Sequence, residues 1–164
     1  PWTPPEPAVS VAVAWSGTEN VSIEVYLDDG DPRLAAAIEL ASPRNKDRAT
    51  TREAFAHKCA EQLNRGAGVV AVDTVTTRQA DLQRAIFEAV GVDAPAELPP
   101  GLSAVSYRSL GREADGQLQV WPVALGVGEP LPTLPLWLGE FAVPLDLEAS
   151  HAAACADLRI RQAG

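Results

Sequence analysis

Ile38-Glu39-Leu40-Ala41-Ser42-Pro43-Arg44-Asn45-Lys46 is the stretch on which the fold of this chain turns. A glutamate closes an apolar, strand-like run, and a Ser-Pro turn carrying Asn45 and Lys46 follows at once. A carboxylate at the end of a buried strand is costly unless it is paired, hydrogen-bonded or holding a metal. Chemistry in this chain is therefore expected here first.

Upstream, Val21 to Leu27 alternates apolar and polar residues with β-branched enrichment, the pattern of a half-buried strand. Asp28 to Pro32 reads as a turn, and Leu34 to Ala41 returns as the second arm of a hairpin. That arm is apolar almost throughout, as a central strand covered on both faces would be. Downstream, Thr50 with Glu53 forms a capping-box pattern that opens a helix, with Phe55, Cys59 and Leu63 as its buried stripe and Gly66 as its stop. Val69 to Asp73 is the next strand. A strand, a helix and a second strand in this order predict a parallel crossover.

The remaining elements follow from the same patterns. Val9 to Ala14 is a peripheral strand after a proline-rich lead-in over residues 1–8, and residues 9–164 are expected to form one α/β domain. A second helix runs from about Ala80 to Val90, and strands lie near Leu102 to Arg108 and Leu118 to Leu125. Tyr107 and Trp121 in those strands read as packing residues. Pro130 to Trp137 is an extended, proline-spaced apolar segment suited to a sheet edge or a wrap over the core. A last helix is placed from Leu145 to Ile160.

The chain has 164 residues and a formal charge of −9, which argues against a general nucleic-acid coat protein, whose surface must be broadly basic. Between Arg44 and Arg65, however, six bases (Arg44, Lys46, Arg48, Arg52, Lys58, Arg65) face three acids, so that segment is net +3 and the rest is −12. It is either a solvated helix face or a local nucleic-acid contact. Cys59 and Cys155 belong to no metal-binding spacing and read as free thiols. No membrane-length apolar run and no secretory segment are present, so a cytoplasmic location and no membrane partner are expected. The chain starts at Pro1 and contains no methionine, so residues upstream are expected to be missing.

Several stretches together resemble a bacterial-type family catalogued as domain-of-unknown-function family 4058. They are Ile23-Glu24-Val25, the Ile38 to Lys46 stretch, Arg52-Glu53-Ala54-Phe55 with Lys58, and Val70-Ala71-Val72-Asp73. The second half adds Val120-Trp121-Pro122-Val123, Pro130 to Pro135 and Val143 to Leu147. The family normally carries a further N-terminal portion, with a Pro-Asp-Val segment, that this chain lacks. The helix from Gln79 to Gly91 looks like an insertion. The Glu-x-Ala-Ser-Pro turn before a lysine-bearing helix is also similar to restriction-endonuclease-like PD-(D/E)XK domains. The implied fold is a mixed central sheet flanked by helices with a restriction-endonuclease-like core.

What that second resemblance implies is a Mg²⁺-dependent phosphodiesterase or nuclease. Acidic side chains would hold the metal and a lysine would position the attacking water. Glu39 takes the glutamate position, but Ala41 stands where the lysine normally sits, leaving Lys46 and Lys58 as displaced catalytic candidates. The partner acid is also displaced, so the metal set is Glu24, Glu39 and Asp73. Each residue has a plainer reading: Glu39 pairing with Lys46, Lys58 or Arg52, Glu24 facing solvent, and Asp73 forming a strand-end turn. His57 and His151 read as surface residues, and Ser42 as a turn former. The alternative functions are a nuclease-like module that has lost its site and serves binding or assembly, and a protein-interaction domain using Pro130 to Trp137.

Overall fold

In a computed structural model, residues 2–13, 23–28, 32–111 and 116–158 are described. The strand pattern around Glu39 yields the centre of a six-stranded sheet. In chain order the elements are β1 (Val9–Val13), β2 (Ile23–Leu27), β3 (Arg33–Leu40), α1 (Pro43–Asp47), α2 (Ala49–Asn64), β4 (Gly68–Asp73) and α3 (Leu82–Val90). They continue with β5 (Ser103–Leu110), β6 (Gly116–Ala124), β7 (Thr133–Leu138), β8 (Phe141–Asp146) and α4 (Leu147–Asp157). The large sheet has the order β1-β6-β5-β4-β3-β2, and β7 with β8 forms a separate two-stranded ribbon.

The expected crossover is present: β3 and β4 run parallel, with Glu39 beside Ala71 and Leu40 beside Val72. The other pairings in the sheet are antiparallel. A parallel pair cannot be joined by a tight turn, and α1 with α2 supplies the connection. All six residues of β4 are buried, which accounts for its unbroken apolar run.

The sheet's two faces are closed differently. On one, Phe55, Cys59 and Leu63 of α2 and Ile86 and Phe87 of α3 bury against Val69, Ala71, Val105 and Tyr107. Burying each such large side chain contributes about 1.5–3 kcal/mol. On the other face, Leu134 and Leu136 of the ribbon and Leu147 of α4 cover Ala36, Val70, Val72 and Ala104. The ribbon comes so close to β4 that a Cβ on Gly68 would lie 2.3 Å from the Trp137 carbonyl oxygen, so only glycine fits there. Ser106 adds a direct tie, its hydroxyl donating to the Pro135 carbonyl at 2.5 Å.

Two local expectations are corrected. The helix opened by Thr50 begins at Ala49 behind Arg48, and a five-residue helix, α1, precedes it. Its entry is held by Asn45, whose Oδ1 accepts from the Ser42 backbone N–H at 2.7 Å, while the Thr51 hydroxyl donates to the Arg44 carbonyl at 2.7 Å. Strand β8 takes Leu145 and Asp146, expected to begin the last helix, and that helix starts at Leu147. Of the two placements expected for Pro130 to Trp137, the structure has the wrap over the core, with Leu134, Leu136 and Trp137 buried. Ala14, Val21, Ser22, the Asp29 to Asp31 part of the expected first turn and residues 159–160 of the expected last helix lie outside the described residues.

Candidate functional site

Glu39 and Asp73 sit near the carboxyl ends of the two parallel strands. Glu39 is in register with Ala71, and Asp73 stands two residues further along β4, so both side chains share the helix-covered face. Carboxyl ends of parallel strands are where α/β folds assemble sites. Each carboxylate, however, meets its own lysine.

Glu39 points at α2. Its Oε2 lies 2.9 Å from Lys58 Nζ, and its Oε1 accepts from Gln62 Nε2 at 2.8 Å. Lys58 and Gln62 are one helical turn apart, so they present to the strand end together. The Glu39 side chain is 4% exposed and that of Lys58 19%, which makes this a nearly buried pair with one wet edge. Gln62 Oε1 is buried without a hydrogen-bond partner. The neighbouring Cys59 thiol is pushed well above its usual range, chiefly by burial and further by the Glu39 charge, with Lys58 acting in the opposite direction.

Asp73 is paired with Lys46 at 2.6 Å, the two side chains being 2% and 1% exposed. An ammonium has three protons to donate. Those of Lys46 go to Asp73 Oδ2, the Val75 carbonyl at 3.2 Å and the Arg78 carbonyl at 3.3 Å. The other Asp73 oxygen accepts from the Val75 N–H at 3.1 Å. Lys46 thereby fastens the segment after β4 to α1, and an exposed Arg78–Asp47 pair at 2.5 Å lies over the same junction.

The candidate residues are thus distributed as two pairs and one outlier. Lys58 joins Glu39, and Lys46 joins Asp73. Glu24 lies opposite Ala37 on β2 and accepts a hydrogen bond from the exposed Tyr26 hydroxyl, which raises the tyrosine pKa. Among the described residues, no group of three or more His, Cys, Asp or Glu side chains is gathered for a metal ion. Gln62 is the participant that the sequence reading did not assign. Its spacing of four from Lys58 was the available signal.

A cavity of about 650 Å³ opens beside this region, lined by Lys46, Val75, Arg78, Asp81 and Leu102 among others. Glu39 does not line it. His57 and His151 are exposed, and both cysteines are free thiols. No helix among the described residues is long and apolar enough to cross a membrane.

Comparison with known proteins returned no match to a family model, to a curated protein or to a solved structure.

Proposed function

We propose that this chain is a non-catalytic binding or assembly module on a nuclease-like α/β core. The observation that carries this reading is the separate neutralisation of the two strand-end carboxylates, Glu39 by Lys58 and Asp73 by Lys46. A water-activating lysine must have a proton site to spare, whereas all three protons of Lys46 are committed within the protein. Support for the nuclease-like core comes from the succession of a hairpin, a helix and a parallel strand, together with the resemblance of Ile38 to Lys46 to PD-(D/E)XK domains and to domain-of-unknown-function family 4058. The basic segment offers little to nucleic acid. Lys46 and Lys58 are spent on acids outside it and Asp47 on Arg78, leaving Arg44, Arg48, Arg52 and Arg65 against Glu53 and Glu61.

A second reading, a Mg²⁺-dependent phosphodiesterase with a rearranged site, is favoured by one observation. Gln62 Oε1 is a buried, unpartnered oxygen next to the Glu39 carboxylate, the hard-donor chemistry that Mg²⁺ takes. As arranged, the residues fit their lysines better than a resident metal, because an ion at Glu39 would displace Lys58. Once bound there, a metal would supply charge stabilisation and a more acidic water.

Calorimetric titration of the chain and of Glu39→Ala with Mg²⁺ and Mn²⁺, beside cleavage assays on single- and double-stranded DNA and RNA, separates the two. The module reading expects no saturable metal heat, no cleavage, and a variant that is only less stable. Metal binding and cleavage that vanish in Glu39→Ala would overturn it.

A further inference from the structure

The opposite end of the parallel strands carries a different arrangement, independent of whether Glu39 ever meets a metal. Three arginines lie at that end. Arg33 opens β3, Arg65 follows α2, and Arg108 on β5 lies beside the start of β4, since its neighbour Tyr107 pairs with Val69. Two cavities occupy this end. One, of about 420 Å³, is lined by Arg33, Arg65 and Tyr26, and the other, of about 330 Å³, by Arg108, Asn64 and Ser109 together with Glu140, which is not ion-paired to Arg108. They share Gly66 and Gly139 as common walls. Both glycines have positive φ, and a Cβ on either would meet nothing within 4 Å, so the backbone there stays open.

Arg108 is the anchor. Its guanidinium lies 4.0 Å from the centre of the Trp137 ring, which itself stacks on Trp121 with ring centres 5.3 Å apart. Stacking fixes the plane of the guanidinium and leaves its edge to hydrogen-bond. Yet Arg108 Nε and Trp137 Nε1 are both buried donors without an acceptor, and Arg108 has no ion pair among the described residues. Burial lowers the Arg108 pKa, an effect that the charge of Glu140 opposes. An unmet buried donor is expensive in a folded protein. Arg108 lines the smaller cavity, and a carboxylate or phosphate oxygen is the partner that would suit its guanidinium there, in the fork geometry arginine favours.

We propose that this end of the sheet is a binding site for a small oxyanion, a phosphate- or carboxylate-bearing metabolite held by Arg108, with Arg33 and Arg65 adding positive potential. Arg33 and Arg65 engage other groups as well, so the anchoring falls to Arg108. Each of the two cavities, about 420 and 330 Å³, lies within the size range of small-molecule sites. With a chain charge of −9, a small ligand suits this enclosed positive end better than an extended polyanion does.

The test is titration of the chain at low ionic strength with sodium pyrophosphate and, separately, with citrate, by calorimetry and tryptophan fluorescence. Saturable binding of one ligand per chain is expected. Arg108→Lys, which keeps the charge but loses the fork, should weaken it about tenfold or more. The exposed Arg65→Gln, which leaves the core untouched, should weaken it about threefold, and it carries the test if Arg108→Lys fails to fold. Binding of pyrophosphate alone assigns the site to phosphates, and of citrate alone to carboxylates. No saturable binding of either, or affinity unchanged in the folded variants, would overturn the proposal.

Discussion

Replacing Lys46 by methionine keeps the buried aliphatic stem and removes only the ammonium, which makes it a direct probe of the pair with Asp73. In the wild type that ammonium satisfies one carboxylate and two carbonyls at 2.6, 3.2 and 3.3 Å. Without it, the Asp73 carboxylate stays buried with the Val75 N–H as its donor. Removing one partner of a buried pair costs about 3–5 kcal/mol, and each stranded carbonyl adds about 1 kcal/mol at most, partly within the same penalty. A loss of about 4 kcal/mol is a large part of the roughly 5–15 kcal/mol that holds a domain together. At about 3 °C per kcal/mol for a chain of this size, the melting temperature should fall by about 12 °C. Thermal and urea unfolding followed by circular dichroism measure it. Lys46→Met with Asp73→Asn, which removes the charge and keeps an acceptor for Val75, should recover at least half of the loss. A single variant within about 1 kcal/mol of wild type, or a double variant no better than the single, would refute the reasoning.

Two further outcomes follow from packing and from burial. Gly68→Ala should destabilise by about 3 kcal/mol or more, because its Cβ meets backbone, the Trp137 carbonyl, rather than a side chain that can turn away. A chemical-denaturation midpoint close to wild type would show that the ribbon shifts freely. Stability should also fall at alkaline pH. The Cys59 thiol and Tyr107 hydroxyl have their pKa values raised well above normal, both chiefly by burial. Their stabilisation is complete below the unfolded-state values and is lost as pH rises through the folded ones. The decline should start near pH 9 at about 1.4 kcal/mol per pH unit for each group. Urea unfolding between pH 7 and 11 measures it, and Cys59→Ala should delay its onset. A flat profile would count against it.

The β3-α2-β4 unit was legible in the sequence because its signals are local: a β-branched run, an i, i+4 stripe of Phe55, Cys59 and Leu63, and a glycine stop. Helix α1 was not, since five residues give no helical period to read. Strand β8 was hidden by Pro144, which reads against a central strand. In a two-stranded ribbon that objection lapses, and Pro144 simply faces Pro135 across the pair. At the site, sequence named Glu39, Asp73 and both lysines but not who pairs with whom. That assignment depends on how α1 and α2 dock onto the strand ends, a tertiary fact with no local trace. Glu24 was misleading because hairpin register depends on a bulge between Val25 and Tyr26 and on the turn that sets it.

Strand β1 is the member of the large sheet that closes the widest loop, joining Val9 to Val120. Its neighbours assemble from nearby chain: β5 with β6 as successive strands, and β3 with β4 across one helix. Bringing distant ends together has an entropic penalty that local pairings avoid, so β1 should dock late in folding. Until it does, β6 is a bare edge with unpaired backbone groups, able to accept the same strand from another copy. Strand β1 thus acts as the sheet's guard against self-association at the β6 edge.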